Sequence, residues 1–283
     1  MDSLKFFQLT REGAVAHLSL NRPDKANCME PAFWSELPVI LDSLEQDPTV
    51  RVLLLSGEGK HFSAGMDMSS FSFIFGLTES ETARASFAMR KAVLELQDIL
   101  SGLERARFPV IAAVHGACVG GALDMISACD LRLAAADTKF SIEEANVGMT
   151  ADIGTLQRLP KLIAPGIVKE LALTGRRFTP EEAKSWGFVN AIHPDKAATI
   201  EAGIALARDI ASKSPLVSAG VKRAIDYARD HTVADSLEQI ANWNAGMLRE
   251  TDMTTAIDAR IKGKEANFAD LLPTEPHGSA KEG

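Results

Sequence analysis

Apolar and polar residues first alternate and then fall into longer rhythms. From Val15 to Leu20, the positions Val15, His17 and Ser19 interleave with Ala16, Leu18 and Leu20. That period of two predicts a strand, with residues 6–10 as its hairpin partner and Arg11-Glu-Gly13 as the turn. Asn21-Arg-Pro-Asp24 breaks the pattern. Phe33, Leu37, Ile40, Leu41 and Leu44 then recur at helical spacing over residues 30–44, with Pro38 expected to tighten or kink that helix. Residues 52–55 form a short apolar run fit for a strand buried on both faces, and residues 110–114 and 131–135 are read as a second and a third such strand. Between them come a glycine-rich loop, a long helix over about residues 79–103, and an apolar helix running through Cys129. Strands alternating with helical stretches predict a crossover-connected, largely parallel sheet. Beyond Thr179 every stretch reads as helix (180–186, 197–212, 215–229, 234–249 and 253–264), and no strand is expected there. The division predicted is an α/β core over residues 1–195, a helical region over 196–270 and a flexible tail over 271–283.

At 283 residues the chain can bury a core without disulfides or metals. A net charge of −8 argues against nucleic acid as the partner, since phosphate backbones call for a basic face. A small anionic ligand held by a few local cations remains compatible with it. Cys28, Cys118 and Cys129 are odd in number and lack metal-ligand spacing, so they read as reduced core thiols. With no basic segment leading into an apolar run at the start, no run long enough for a membrane span and no receptor-read address at the end, cytoplasmic residence is expected.

The most chemically informative stretch is 140–154, Phe-Ser-Ile-Glu-Glu-Ala-Asn-Val-Gly-Met-Thr-Ala-Asp-Ile-Gly. It carries Glu144 and Asp152 among loosening glycines, and Asp124 lies upstream in Gly120-Gly121-Ala-Leu-Asp124. Any one acid is ordinarily a solvated surface group. Two carboxylates at opposite ends of a closed apolar pocket are different, because one can give a proton while the other takes one. There is also an internal echo. A buried strand and glycine turn lead into His61-Phe-Ser-Ala-Gly-Met66, and a second such pair leads into Gly120-Gly121. If both loops approach one ligand atom, two backbone N–H groups converge on an oxygen, one of them at a helix start where the dipole is positive. Other machinery is absent. Ser63 is not in a Gly-x-Ser-x-Gly elbow, residues 57–60 do not make a P-loop, residues 116–121 lack dinucleotide spacing, and the six histidines form no metal pair. Acid–base work on an acyl group beside an oxyanion hole is what remains.

Four segments carry a specific resemblance: Asn21-Arg-Pro-Asp-Lys-Ala-Asn27, His61-Phe-Ser-Ala-Gly-Met-Asp67, His115-Gly-Ala-Cys-Val-Gly-Gly-Ala-Leu-Asp124 and Gly154-Thr-Leu-Gln-Arg-Leu-Pro160. In this order, over about residues 5–268, the chain resembles the crotonase (enoyl-CoA hydratase/isomerase) superfamily. The resemblance implies a spiral of ββα turns with a C-terminal helical region, assembled as a homotrimer or dimer of trimers. It implies oxyanion donors at the N–H groups of Met66 and Gly121, and coenzyme A contacts at Arg22, Lys25, Ala26, Ala64, Asp67, Lys262 and Lys264. Hydratases of the superfamily usually have Glu at positions 124 and 144 and Gly at 152. Acids at all three positions resemble instead the Δ3,5-Δ2,4-dienoyl-CoA isomerases, with Asn146 standing where that pattern has Asp. The resemblance then implies Asp152 as base at C2, Glu144 as acid at C6 and Asp124 as a like charge biasing both, in fatty-acid β-oxidation. Phe71 and Phe73 are candidates for excluding water from the pocket. The reaction implied needs no metal, flavin or nicotinamide, and coenzyme A enters as part of the substrate. Two alternatives stand beside it: a 2-enoyl-CoA hydratase using Asp124 and Glu144, and a non-catalytic member that binds RNA or a protein.

Overall fold

The computed structural model describes residues 4–68, 81–248 and 250–273. In chain order its strands are β1 (Phe7–Glu12), β2 (Val15–Leu20), β3 (Val52–Gly57), β4 (Val110–Val114), β5 (Ala117–Val119), β6 (Leu131–Ala135), β7 (Lys139–Ser141) and β8 (Ala191–His193). Its helices are α1 (Pro31–Gln46), α2 (Thr82–Arg105), α3 (Gly121–Ser127), α4 (Thr155–Leu162), α5 (Pro165–Thr174), α6 (Pro180–Ser185), α7 (Lys196–Ala211), α8 (Pro215–Asp230), α9 (Val233–Met247) and α10 (Glu250–Ile261). The main sheet runs β1-β2-β3-β4-β6-β8, and β5 pairs with β7 in a small second sheet. Among these strands only the β1–β2 hairpin is antiparallel and the other ladders are parallel; a single antiparallel bridge joins Phe140 to Phe178.

The apolar runs explain the layering. In a strand, successive side chains point to opposite faces. Leu53 and Leu55 of β3, with Val110, Ala112 and Val114 of β4, therefore enter the large core shared with α1 and α3. Val52, Leu54, Ile111 and Ala113 enter a second core against Ala207 and Ala211 of α7. Truncating one such Leu to Ala would cost about 2–5 kcal/mol. Gly203 brings α7 this close, since a Cβ there would stand 2.8 Å from Leu54 Cδ1. The first helix of the expected C-terminal region is thus packed on the sheet itself.

Several elements differ from expectation. The strand-free reading beyond Thr179 is corrected by β8, which pairs with β6 and extends the sheet. Helices α4 and α5, and strands β5 and β7, had no distinct pattern in the sequence. Pro38 does not interrupt α1, which runs unbroken over 16 residues. Phe71, Phe73 and the tail from residue 274 onward lie outside the described residues. Among the described residues no helix is long and apolar enough to cross a membrane.

Candidate active site

Two loops at the ends of β3 and β4 are stitched together backbone to backbone. Ser63 N–H donates to the Ala117 carbonyl at 3.0 Å, and Val119 N–H donates to that of Ser63 at 3.3 Å. Asn27 anchors the turn below them, its side-chain amide donating to the carbonyls of Glu58, His61 and Phe62 at 2.9, 2.9 and 3.1 Å. Gly65 (φ +84°) is required at the crossing point, because a Cβ there would lie 2.6 Å from the Val119 carbonyl oxygen. Around it the amides are satisfied. Ala64 N–H donates to Ala26, Gly65 N–H to Ser63 Oγ, and Asp67 N–H to Met29.

Met66 is the exception: among the described residues its N–H has no acceptor. The same holds for Gly121 in the first turn of α3, where helical N–H groups have no intrahelical partner. The two amides are neighbours, since a Cβ on Gly121 would stand 3.6 Å from Met66 N. A buried polar hydrogen without a partner is costly unless a ligand takes it. Two such amides side by side can both donate to a single oxygen.

Both amides border one cavity of about 320 Å³, whose wall also holds Ala64, Asp67, Glu144 and Asp152. Glu144 opens a short 3₁₀ turn, and its Oε1 lies 3.4 Å from where a Cβ on Gly120 would be, so the absent side chain makes room for the acid. Burial, reinforced by the charges of Asp124 and Asp152, pushes the Glu144 carboxyl up to about 7. Burial also raises the Asp152 carboxyl above its ordinary value. Both acids are therefore closer to neutrality in their proton balance than surface carboxylates.

Asp124 does not border the cavity but lies fully buried behind it, on α3. Its Oδ1 accepts the Thr155 N–H at 2.5 Å, while Oδ2 has no partner among the described residues. Burial pushes it up to about 6, against the pull of the Thr155 N–H. Asn146 donates to Glu143 Oε1 at 3.1 Å and to the Gly175 carbonyl at 3.0 Å. An ionised Asp there would have no hydrogen to donate to either acceptor.

Of the expected coenzyme A contacts, Ala64 and Asp67 line the cavity. Ala26 supports it from behind through its carbonyl. Arg22 and Lys25 are not part of its wall; Arg22 is paired with Asp24 and Glu30, and Lys25 with Glu30 at 3.4 Å. Lys262, paired with Asp258, and Lys264 are exposed beyond α10 and do not border the cavity. Cys28, Gly65, Met68, Gly120, Glu143, Val147, Met149 and Ile153 complete the wall without having been singled out as site residues.

The description enoyl-CoA hydratase/isomerase belongs to the family model that matches residues 10–269. The mitochondrial Δ(3,5)-Δ(2,4)-dienoyl-CoA isomerase of Homo sapiens is 42% identical over 253 residues, spanning 89% of this chain and 77% of that protein. The peroxisomal Δ(3,5)-Δ(2,4)-dienoyl-CoA isomerase of Arabidopsis thaliana is 39% identical over 276 residues, 96% of this chain and 99% of that protein. Among solved structures, the enoyl-CoA hydratase of Bacillus anthracis superposes with a TM-score of 0.83 at 28% identity, covering 96% of this chain and all (100%) of that one. These findings correct one expectation. Cytoplasmic residence rested on a lack of targeting features, whereas these isomerase relatives are mitochondrial or peroxisomal.

Proposed function

The chain belongs to the enoyl-CoA hydratase/isomerase family, and from that premise we propose that it moves the double bonds of a 3,5-dienoyl-CoA into 2,4-conjugation with the thioester, a step of fatty-acid β-oxidation. The observation that carries this reading is one cavity bordered by Glu144, Asp152 and the amides of Met66 and Gly121. The thioester oxygen accepts from both amides. Asp152 takes a proton from C2, and the electron pair of that C–H bond spreads through a dienolate whose charge the amides stabilise. Each such donor is worth about 2.7–4 kcal/mol. Glu144, raised to about 7 and so substantially protonated at neutral pH, gives its proton to C6. One C–H bond breaks and one forms with no net change in oxidation, so the step needs no metal, flavin or nicotinamide. Asp124 acts through its charge, raising Glu144.

The pantetheine arm leaves past Cys28 toward the Arg22–Lys25 turn, with Lys262 and Lys264 as further cations for the phosphates. The assembly in this reading is a homotrimer or dimer of trimers formed through the helical region. Its support is the exposed apolar face of Val217, Val221 and Ile225 on α8, Leu237 on α9, and Met253 and Ile257 on α10.

The test compares 3,5-dienoyl-CoA isomerisation with hydration of crotonyl-CoA, for the parent and for Asp152→Asn. Isomerisation is expected to dominate, and the variant to lose about 10²–10⁴ in kcat with little change in KM. Dominant hydration, with turnover intact in Asp152→Asn, would assign the hydratase reaction instead.

A further inference from the structure

Asp152 stands on a loop, and a loop aims a carboxylate well only if something fixes its backbone. No other described residue donates a hydrogen bond to its side chain. The constraint comes from the main chain. From the middle of α2, Gln97 Nε2 donates to the Asp152 carbonyl at 2.6 Å, a bond between residues 55 apart in sequence. That carbonyl belongs to the peptide plane following Asp152, so holding it sets ψ at 152 and with it the direction of the Cα–Cβ bond.

The other end of the segment is held as well. Gly154 (φ +145°) takes a backbone conformation closed to other residues, and the Arg158 guanidinium fills the space a side chain would occupy there. Arg158 in turn is tied to α2, donating to Ser101 Oγ at 2.7 Å and to Glu104 Oε2 at 3.0 Å. Gln97, Ser101 and Glu104 recur at helical spacing, so a single face of α2 grips the loop from behind. Gln97 itself does not border the substrate cavity.

We infer that Gln97 is a positioning residue for the isomerisation, its amide setting the aim of the Asp152 carboxylate at C2. The inference rests on the role proposed for Asp152. A displacement on the order of 1 Å of a reacting group costs about 10²-fold in rate.

The experiment uses Gln97→Met, similar in length and lacking the donor, with single-turnover isomerisation of 3,5-dienoyl-CoA. The expected result is a fall in kcat of about tenfold to a hundredfold, with KM and thermal midpoint essentially unmoved. In a Glu144→Gln background the loss persists in full; in Asp152→Asn it vanishes, because there is no base left to aim. General loosening of the fold cannot produce coupling to one acid and not to the other. An unchanged kcat, or the same loss in all three backgrounds, overturns the inference. Should Gln97→Met fail to fold, Gln97→Glu keeps the length and donates only when protonated, so its rate relative to the parent must rise as pH falls. A ratio independent of pH overturns the inference as well. If Asp152→Asn alone retains full isomerisation, it is the functional reading that fails. If that variant is inactive while Gln97→Met is at full rate, only the role of Gln97 is rejected.

Discussion

Helix α3 and the turn that follows it hold two aspartates in opposite circumstances. Asp130, just past its C-terminus, accepts the Val110 N–H at 2.7 Å and the Lys222 ammonium at 2.8 Å on Oδ2. The remaining donors of Lys222 go to the carbonyls of Leu103 and Phe108 at 3.0 and 3.2 Å. Burial raises Asp130, and the adjacent Lys222 draws it back toward ionisation. Asp124, inside the helix, accepts the Thr155 N–H and, among the described residues, has an unpartnered Oδ2 and no ion pair, with Arg158 drawing it only weakly toward ionisation. A matched buried charge ties α8 to the sheet. The other, without a contacting cation, is raised by burial and is one of the charges that raise Glu144 beside the cavity. In the proposed reaction the difference separates charge that serves the fold from charge that serves the chemistry.

The largest effect that would break this contrast is at the matched end. Lys222→Met strands Asp130 without its cation and is expected to destabilise by about 3–5 kcal/mol in denaturant unfolding at pH 7. Isomerase activity per folded molecule should hold. The next effect lies at the unmatched end. Because the folded-state value of Asp124 is raised from 3.8 to about 6, the folded protein binds its proton more tightly than the unfolded chain. Stability is then lost as pH climbs from about 4 to about 6 and stays lost above. Asp124→Asn removes this, so its stability relative to the parent should improve by up to about 3 kcal/mol between pH 4 and pH 7. A difference that is flat with pH would place Asp124 among ordinary ionised carboxylates.

The smallest effect sharpens the link to the reaction. In the proposed reaction Glu144 is the acid, and it is raised to about 7, so kcat/KM should fall above that pH, approaching about tenfold per unit, or 1.4 kcal/mol. In Asp124→Asn the fall should begin at lower pH, because the Asp124 charge is one of the causes holding Glu144 up. An unmoved profile would cut the connection between the two acids.

What could be read from the chain follows the same physics. Strands β4 and β6 match the expected 110–114 and 131–135: β4 is an unbroken apolar run, and β6 keeps an apolar frame around Arg132, whose buried guanidinium is taken up by the carbonyls of Ile126, Cys129 and Phe188. β8 left no such trace: Ala191–His193 is three half-buried residues whose place is fixed by pairing with β6. α4 follows Gly154 and contains Pro160, so propensity argues against a helix that its packing stabilises. At the site, Glu144, Asp152, Met66 and Gly121 were visible through motif resemblance, and the structure brings all four to one cavity. Asn27 and Gln97 were not singled out, although Asn27 lies within a quoted motif. Each works by one side-chain amide reaching the backbone of a distant segment, a relation with no period and no spacing to betray it.

The unclaimed N–H at Met66 has a consequence for how such an enzyme is probed. The donor proposed to hold the thioester oxygen belongs to the main chain, so truncating the side chain leaves it in place, and an alanine survey of the pocket would pass over it in silence. Exchanging that single amide for an ester linkage deletes the hydrogen and keeps the sulfur-bearing side chain, which makes chemical synthesis rather than codon substitution the instrument suited to this position.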